Sequence, residues 1–355
     1  MGNIDDTRKD FHTGRTPKKL FGKIDAHYLL LLTFLLRELR KDKINQRELN
    51  REVEAKLNNF TDDISTEVYS ALEDEVVNGM AEALFAVVAV WSITEAKSFL
   101  ETSHVGPVSG GFTQPSNLGG PNEALVKLAH KRLSGIITAK DARDAIVSSG
   151  LQHGPTRALF EDTFKDILGA TQNTDRRLKR VIREVAMEVL QEQSLLSQGN
   201  TQLAKVLSQR LTTDALYNRL TKDGLIGIVD RGGKRWNVDV YSKMVVNTKL
   251  TQAHMEATRR LGEQMGLDLA VISAHSAIDA CLHWEGVVVS VNGRTAGFPA
   301  LDDVIATNEL FHPNCRHHIQ MITSLDQLSP HDRLIHEQKL PKVARPELRP
   351  YRRKS

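Results

Sequence analysis

The spacing of apolar residues changes near residue 225, and no other property of the sequence limits the possible folds as strongly. From about Ile24 to Leu100, Ala, Leu, Glu and Lys dominate, no proline occurs, and apolar residues recur at helical spacing. After residue 225, short β-branched runs alternate with turn residues, as is typical of strands. We therefore predict an α+β protein, with a large helical N-terminal region followed by a small α/β C-terminal domain.

The C-terminal domain contains a hairpin, a long helix and short strands in this prediction. In chain order, these are a hairpin over residues 226–238 that turns at Gly232-Gly233, an amphipathic helix from Val240 to about Gly266, and strands Leu269–Ser273 and Val287–Val291. The two glycines supply the positive φ angles that a tight hairpin turn needs.

Four segments follow from these patterns. They are a flexible basic arm, 1–20; a helical region, 21–220, with a glycine- and proline-rich linker at 104–121; an α/β domain, 221–325; and a basic tail, 326–355. Within the helical region, Thr138 to Asp141 resembles a capping box, and Thr174 is a candidate cap for the next helix. That helix has a predicted buried stripe formed by Leu178, Val181, Ile182, Val185 and Val189.

Basic side chains are concentrated at two places, although the net charge is only +3. One is a helix face, and the other is the end of the tail. Both are most simply solvated surfaces, but both are also candidate contacts for DNA or an acidic partner. The candidate contact residues are Arg176, Lys179, Arg180 and Arg183 on the helix, and Arg352, Arg353 and Lys354 in the tail.

Two apolar runs resemble membrane segments but are too short to span a bilayer. Tyr28–Leu36 follows lysines, as in a signal sequence, but charged residues and not a cleavage site come after it. Ala83–Ile93 falls well short of the roughly 20 residues of a spanning helix. We expect both runs to be buried helices, with no export, no membrane span and a reducing compartment.

The two cysteines, Cys281 and Cys315, lie in one histidine-rich C-terminal segment. Thiolates and imidazoles at short spacings are ligands for zinc. The candidate ligands are Cys281, His312, Cys315 and His317, and the possible substitutes are His275, Asp279 and His283. The alternatives are a hydrogen-bonded polar cluster without metal and, less favoured in a reducing compartment, a disulfide.

An ordered series of short motifs covers about residues 225–322. They are Asp230 to Trp236, Val240 to Val245, Met265 to Asp268, Val271 to His275, Cys281-x-x-Trp284-x-Gly286 and His312-Pro-Asn-Cys315-Arg-His317. Together they resemble the head-morphogenesis family of tailed phages, typified by phage Mu protein F and the minor capsid proteins of siphophages. Two positions depart from that family: Asn247-Thr248 replaces a frequent Arg-Thr, and Ile278 replaces the first cysteine of a frequent Cys-x-x-Cys.

The resemblance implies a minor capsid protein without enzymatic activity, located in the virion and in the host cytoplasm during assembly. Its implied partners are the portal protein and capsid or scaffold proteins. The basic helix face and the basic tail predict a further partner, double-stranded DNA bound weakly and without sequence preference. Zinc, if bound, is expected to be structural, and Ile278 leaves a four-ligand site open to question. The alternatives are a metal-dependent virion nuclease that uses His312, Asn314 and His317, with Arg316 as a phosphate clamp, and a carrier of toxin or transferase modules.

Overall fold

The computed structural model describes residues 17–103, 121–313 and 315–343 of the 355-residue chain. Most of the predicted arm and linker, Asn314, and the tail beyond Val343 lie outside the described residues. The helices are, in chain order, α1 Lys18–Glu38, α2 Gln46–Val88, α3 Ile93–Ser103, α4 Pro121–Ser134, α5 Ala139–Ser149, α6 His153–Ser197, α7 Thr201–Arg210, α8 Thr213–Arg219, α9 Val238–Gln264, α10 Leu301–Ala306 and α11 Pro330–Val343.

The strands all follow the helical region and pair antiparallel. They are β1 Ile226–Val229, β2 Arg235–Asn237, β3 Leu269–Ile272, β4 Val288–Ser290 and β5 Ile319–Ile322. β1 and β2 form the predicted hairpin, while β4, β3 and β5 form a sheet with β3 in the centre. The α+β prediction is confirmed. β5 has no counterpart in the sequence prediction, because its four residues directly follow the histidine-rich motif that dominates that segment.

The chain divides into two compact units, each assembled from separate segments. The first unit comprises the described residues of 71–159 and 248–355, and the second comprises those of 16–70 and 160–247. Helices α2, α6 and α9 each contribute residues to both units. The boundaries predicted from sequence at residues 20, 220 and 325 stay predictions.

The second unit is built around the buried stripe of α6. Leu178, Val181, Ile182 and Val185 are at most 2% exposed and pack with apolar residues of α1, α2 and α8. Val189, the last predicted member of the stripe, is only half-buried. The helical period therefore locates the core correctly, and the core ends about one turn earlier than predicted.

Thr174 was expected to cap a helix, and this prediction is wrong. It lies inside α6, fully buried, and its hydroxyl donates to the carbonyl oxygen of Ala170 at 3.0 Å. Threonine satisfies its hydroxyl either as a cap or by bonding four residues back within a helix. The capping box at Thr138 and Asp141, in contrast, is formed at the start of α5.

The first unit contains the second half of α2, the helices α3 to α5, most of α9, the three-stranded sheet, α10 and α11. The second half of α2 is the most buried segment of the first unit. Residues 80–88 are all buried there, and α2 ends at Val88. The prediction of a buried helix over Ala83–Ile93 is therefore wrong at its end, since Val90 and Ile93 are 45% and 56% exposed.

Tyr28–Leu36 of the second unit lies in α1 as predicted, with Leu29 and Leu30 on its exposed side.

Part of the predicted tail is an ordered helix, α11. Within it, His336 is 3% exposed and accepts a hydrogen bond at Nδ1 from the backbone N–H of Val288 at 3.1 Å. Lys339 donates to the carbonyl oxygens of Leu282 and Glu285 at 2.7 and 2.8 Å. These contacts bind α11 to the sheet and to the turn that carries Cys281.

Among the described helices, none is by itself both long and apolar enough to cross a bilayer. Only α2 together with residues 93–101, which meet it at an angle of 106°, reaches the required length and composition as a bent pair.

Candidate metal centre

Cys281 lies in a single 3₁₀ turn, Ala280–His283, between β3 and β4. Asp279 caps this turn, and its Oδ1 accepts from the backbone N–H of Cys281 at 3.1 Å. Trp284 follows directly, and its indole N–H donates to Oε2 of Glu309 at 3.1 Å. The turn is thereby fixed from both sides, with Cys281 1% exposed.

The other predicted ligands lie on the segment that leads into β5. The backbone N–H of Cys315 donates to the carbonyl oxygen of His312 at 2.8 Å, which closes a tight turn. Beyond it, Cys315 and His317 are buried while Arg316 is exposed, as expected of an extended chain whose successive side chains point to opposite sides. This alternation directs Cys315 and His317 to one side.

The structure brings all four predicted ligands to one place. Sγ of Cys281 lies 3.8 Å from Sγ of Cys315 and 3.2 Å from Nε2 of His312. Sγ of Cys315 lies 3.2 Å from Nδ1 of His317. Two thiolates at about 2.3 Å from a tetrahedral zinc ion are about 3.8 Å apart, and a thiolate and an imidazole nitrogen are about 3.5 Å apart. The sulfur separation fits zinc, and the nitrogen separations are slightly short.

Cys281 is the shared member of two overlapping ligand groups. In the first, the ligand atoms of Cys281, Cys315 and His317 lie within 4.8 Å of one another, and in the second, those of Asp279, Cys281 and His312 do so. The first group supplies three buried ligands, while His312 belongs only to the second group, beside Cys281 and Asp279. Both thiols are free, and their sulfur separation excludes a disulfide.

Each histidine has a hydrogen-bond acceptor beside the ring nitrogen that faces away from the cysteines. Nδ1 of His312 donates to the carbonyl oxygen of Pro313 at 3.0 Å, which leaves the lone pair of Nε2 facing Cys281. Nε2 of His317 lies 3.3 Å from Oε1 of Glu285, which leaves the lone pair of Nδ1 facing Cys315. A carboxylate behind a ligating imidazole is the usual support for zinc-binding histidines.

Glu285 is a functional candidate that the sequence analysis missed. It is 5% exposed, and its Oε1 accepts from the backbone N–H groups of His275 and Ala277 at 2.9 Å each. Burial raises its pKa, but these two hydrogen bonds, followed by His317, outweigh burial and lower the pKa. The sequence contained one signal for Glu285, namely an acidic residue directly between Trp284 and Gly286, inside an apolar turn.

Burial and neighbouring groups favour the uncharged forms of Cys281 and His317 when no metal is bound. Burial, then Cys315 and Asp279, raises the pKa of the Cys281 thiol far above its ordinary value. Burial and His275 lower the pKa of His317 against the opposing effect of Glu285. The Cys281 thiol donates to the carbonyl oxygen of Glu309 at 3.2 Å, a bond that is lost when a metal displaces the proton.

The proposed substitute ligands differ in position. Nε2 of His275 lies 3.2 Å from Nδ1 of His317, and Oδ2 of Asp279 lies 3.5 Å from Nε2 of His312. His283 belongs to none of the ligand groups among the described residues. Ile278, at the family's additional cysteine position, is 96% exposed, so this side chain points away from the cluster.

An open pocket of about 320 Å³ borders the cluster on one side. His312 and Cys315 form part of its wall, and Arg259 and Glu256 of α9 line it as well. The cluster is therefore closed by protein around Cys281 and His317 and is accessible from the side of His312. Asn314, the middle residue of the nuclease hypothesis, lies outside the described residues.

The four predicted basic contact residues of α6 are not equivalent. Lys179 pairs with Asp175 at 2.7 Å and with Glu54 at 3.2 Å, so its charge is largely neutralised within the second unit. Arg180 lies 4.0 Å from Glu184. The side chains of Arg176 and Arg183 are exposed. The tail residues Arg352, Arg353 and Lys354 lie outside the described residues.

Comparison with known families gives a match to phage minor capsid protein 2 over residues 157–337. The chain belongs to this minor capsid protein family. The match includes the cysteine and histidine cluster and the motifs at 225–322, and it extends upstream into α6, where no motif was recognised. It thus confirms the resemblance to a phage minor capsid family. No curated protein and no solved structure matches the chain.

Proposed function

We propose that this minor capsid protein is a non-enzymatic component of the phage head that associates with the portal ring or the inner capsid wall at low copy number. It acts in head assembly, together with capsid or scaffold proteins, and in DNA packaging or ejection. Membership in the minor capsid family over residues 157–337 is the observation that carries this proposal. The protein is made in the host cytoplasm and ends in the virion.

The cysteine and histidine cluster serves as a structural zinc site in this proposal. Cys281, Cys315 and His317 are each at most 5% exposed, and they join the 3₁₀ turn to the segment before β5. The apolar core around β3 is small, so a metal bond between these two parts of the chain adds stability to that of packing. His312 completes the ligand set.

Metal analysis of protein purified without a histidine tag tests the zinc site. We expect Cys281→Ser/Cys315→Ser to contain one equivalent of zinc less than the wild type. Ile278→Ala, which changes an exposed side chain close to the same turn, is the matched control and should keep the wild-type content. Equal zinc in the wild type and the double serine variant would refute the site.

Analysis of purified virions tests the assembly role. We expect the protein in mature particles at a few copies per major capsid shell, and we expect co-purification with the portal protein when the two are co-expressed. Charge-matched portal from an unrelated phage is the control for non-specific capture. Absence from particles, or equal capture by both portals, would contradict the proposal.

Weak DNA contact through α6 rests on the exposed side chains of Arg176 and Arg183. Each phosphate that a cation neutralises releases counterions, so binding must weaken steeply with salt. We expect gel shifts of any duplex at low salt, reduced by Arg176→Ala/Arg183→Ala. Lys97→Ala/Lys205→Ala removes two exposed cations elsewhere and is the charge-matched control. No shift at low salt, or an equal loss in both variants, would argue against α6 as the contact.

The pocket beside His312 and Cys315 supports a second candidate function, a metal-dependent virion nuclease. A nuclease needs a metal with an open coordination position and access for a phosphate, and this side of the cluster has access. A plasmid-nicking assay with Mg²⁺, Mn²⁺ or Zn²⁺ distinguishes the two functions. Nicking that disappears in His312→Ala would establish the nuclease, and no nicking by the metal-loaded wild type favours the structural role.

A further inference from the structure

A second cluster of metal-ligand side chains lies in the first unit and contains no cysteine. Glu82 comes from α2, His254 from α9, and His318 from the residue directly before β5. They are 2%, 0% and 5% exposed. One ligand atom of each lies within 4.8 Å of the others. Three residues from three separate elements thus meet in the interior of the unit.

The distances suit a shared ion. Oε2 of Glu82 lies 2.9 Å from Nε2 of His254, and the rings of His254 and His318 meet edge to face with centroids 5.2 Å apart. Ligand atoms at about 2.0–2.2 Å from one tetrahedral ion are themselves about 3.3–3.6 Å apart, so the carboxylate oxygen and the imidazole nitrogen would separate by only about half an ångström to admit an ion. We propose that Glu82, His254 and His318 bind a divalent transition-metal ion, with Glu75 orienting His254 from outside the ligand set.

Glu75 gives His254 the support that a ligating imidazole requires. Its Oε2 lies 3.4 Å from Nδ1 of His254, on the opposite side of the ring from Glu82. Protonation at Nδ1, on the side of Glu75, would leave the lone pair of Nε2 for the ion. Within the described chain, Oε1 of Glu82 accepts no hydrogen bond, so this buried carboxylate has coordination capacity to spare.

The packing of α2 against α9 is built around this position. Glu75, Gly79 and Glu82 share one face of α2 by their spacing of four and three residues. A Cβ atom at Gly79 would lie 2.2 Å from the carbonyl oxygen of His254, so only glycine permits this approach. Thr258 then donates to the carbonyl oxygen of Gly79 at 3.0 Å. The close contact places both carboxylates of α2 beside the His254 ring.

Electrostatics favour a cation at this place. Glu82 is 2% exposed and the side chain of Glu75 is 16% exposed, so two carboxylates with little access to water lie beside His254 and attract positive charge. Two imidazoles with one carboxylate are a ligand set for Zn²⁺, Fe²⁺ or Mn²⁺. In this position the ion would tie α2, α9 and β5 together.

The two metal sites are separate although His317 and His318 are adjacent in sequence. Successive side chains of an extended segment point to opposite sides, so His317 faces the cysteines and His318 faces α9. The inference therefore does not depend on the proposed zinc at Cys281.

Cobalt titration of Cys281→Ser/Cys315→Ser tests the second site alone. We expect one equivalent of Co²⁺ to bind with visible d–d absorption and without a sulfur charge-transfer band. Adding Glu82→Gln to this background should abolish binding. Adding Glu256→Gln, which neutralises an exposed acid on α9, is the matched control and should leave binding intact. A background variant that keeps its helical circular dichroism but binds no Co²⁺, or binding that survives Glu82→Gln, would overturn the proposal.

The wild type provides the test if the double serine variant does not fold. We expect two equivalents of Co²⁺, of which only one adds a sulfur charge-transfer band. A single equivalent in the wild type that shows this band would overturn the second site. Failure of the cysteine site has a different signature, since the charge-transfer band is then missing while one equivalent still binds.

Discussion

Sγ of Cys281 lies 3.8 Å from Sγ of Cys315, although 34 residues separate them along the chain. Both side chains are buried, and neither is in a disulfide. A pair of buried free thiols at this separation has the geometry of two zinc ligands, so thiol chemistry and metal content should be linked.

Titration of both thiols with an organomercurial should release one equivalent of zinc, measured with a chromogenic chelator. The mercury–sulfur bond replaces the zinc–sulfur bond, so release should follow thiol modification in proportion. Cys281→Ser/Cys315→Ser should release none under the same conditions. Complete reaction of both thiols in the wild type without release of zinc would contradict this prediction.

The sequence predicted which cysteines and histidines come together in this cluster but not the residues that support them. Spacing brings Cys315 and His317 to one side of a short extended segment, and such local geometry can be inferred from residue order. Glu285 supports the cluster by accepting hydrogen bonds from backbone groups, and Glu309 does so by accepting one from Trp284. These hydrogen bonds depend on how two turns that are distant in sequence pack together. The spacing of residues along the chain contains no information about how these two turns pack together.

The second cluster was not predicted from the sequence for a related reason. Glu75 and Glu82 lie in a 43-residue helix, and acidic residues of such a helix are usually solvated. The only local signal was Gly79 between them, since a glycine inside a helix costs stability unless another chain segment approaches closely. Helix and strand assignments depend on local period and were mostly correct, while sites formed by contacts between helices were not predicted.

Gly79→Ala should lower the free energy of unfolding by at least about 2 kcal/mol. The added methyl group would lie 2.2 Å from a backbone oxygen of His254, and backbone atoms cannot move aside as a flexible side chain can. Urea unfolding followed by circular dichroism measures the effect.

Gly22→Ala is the matched control for Gly79→Ala. Gly22 is exposed within α1, and a Cβ atom at this position would have no neighbouring atom within 4 Å. This substitution should stabilise the protein by about 0.5 kcal/mol through helix propensity. A Gly79→Ala variant as stable as Gly22→Ala would show that α2 and α9 do not meet at this position.

Asp268 should make the stability of the protein depend on pH in the acid range. Its carboxylate accepts from the hydroxyls of Ser290 and Thr295 at 2.6 Å each, and from the backbone N–H groups of Asn292 and Thr295 at 2.8 and 2.9 Å. Burial raises its pKa, but these hydrogen bonds outweigh burial and lower the pKa. The resulting stability is present above the unfolded-state pKa of about 3.9 and is lost as pH falls from there through the lower folded-state pKa.

Urea unfolding at several pH values measures this contribution. Asp268→Asn should be less stable than the wild type by a constant amount above about pH 5, and the difference should shrink below about pH 4. Ser290→Ala, which removes one of the four donors to Asp268, should have a stability between those of the wild type and Asp268→Asn. A difference that does not change between about pH 3 and about pH 7 would show that the ionised carboxylate is not responsible.

Thr138→Ala should lower the free energy of unfolding by about 1 kcal/mol, because it removes the side-chain cap of α5 and leaves only the Asp141 half of the capping box. The hydroxyl of Thr138 accepts from the backbone N–H of Asp141 at 3.3 Å, and Oδ2 of Asp141 accepts from the backbone N–H of Thr138 at 2.9 Å. Asn200→Ala is the matched control, since Asn200 precedes α7 without a capping hydrogen bond from its side chain. This control should change the free energy of unfolding by only a few tenths of a kcal/mol. Equal losses of stability in both variants would show that the effect comes from the intrinsic preference of residues at the cap position and not from the hydrogen bonds.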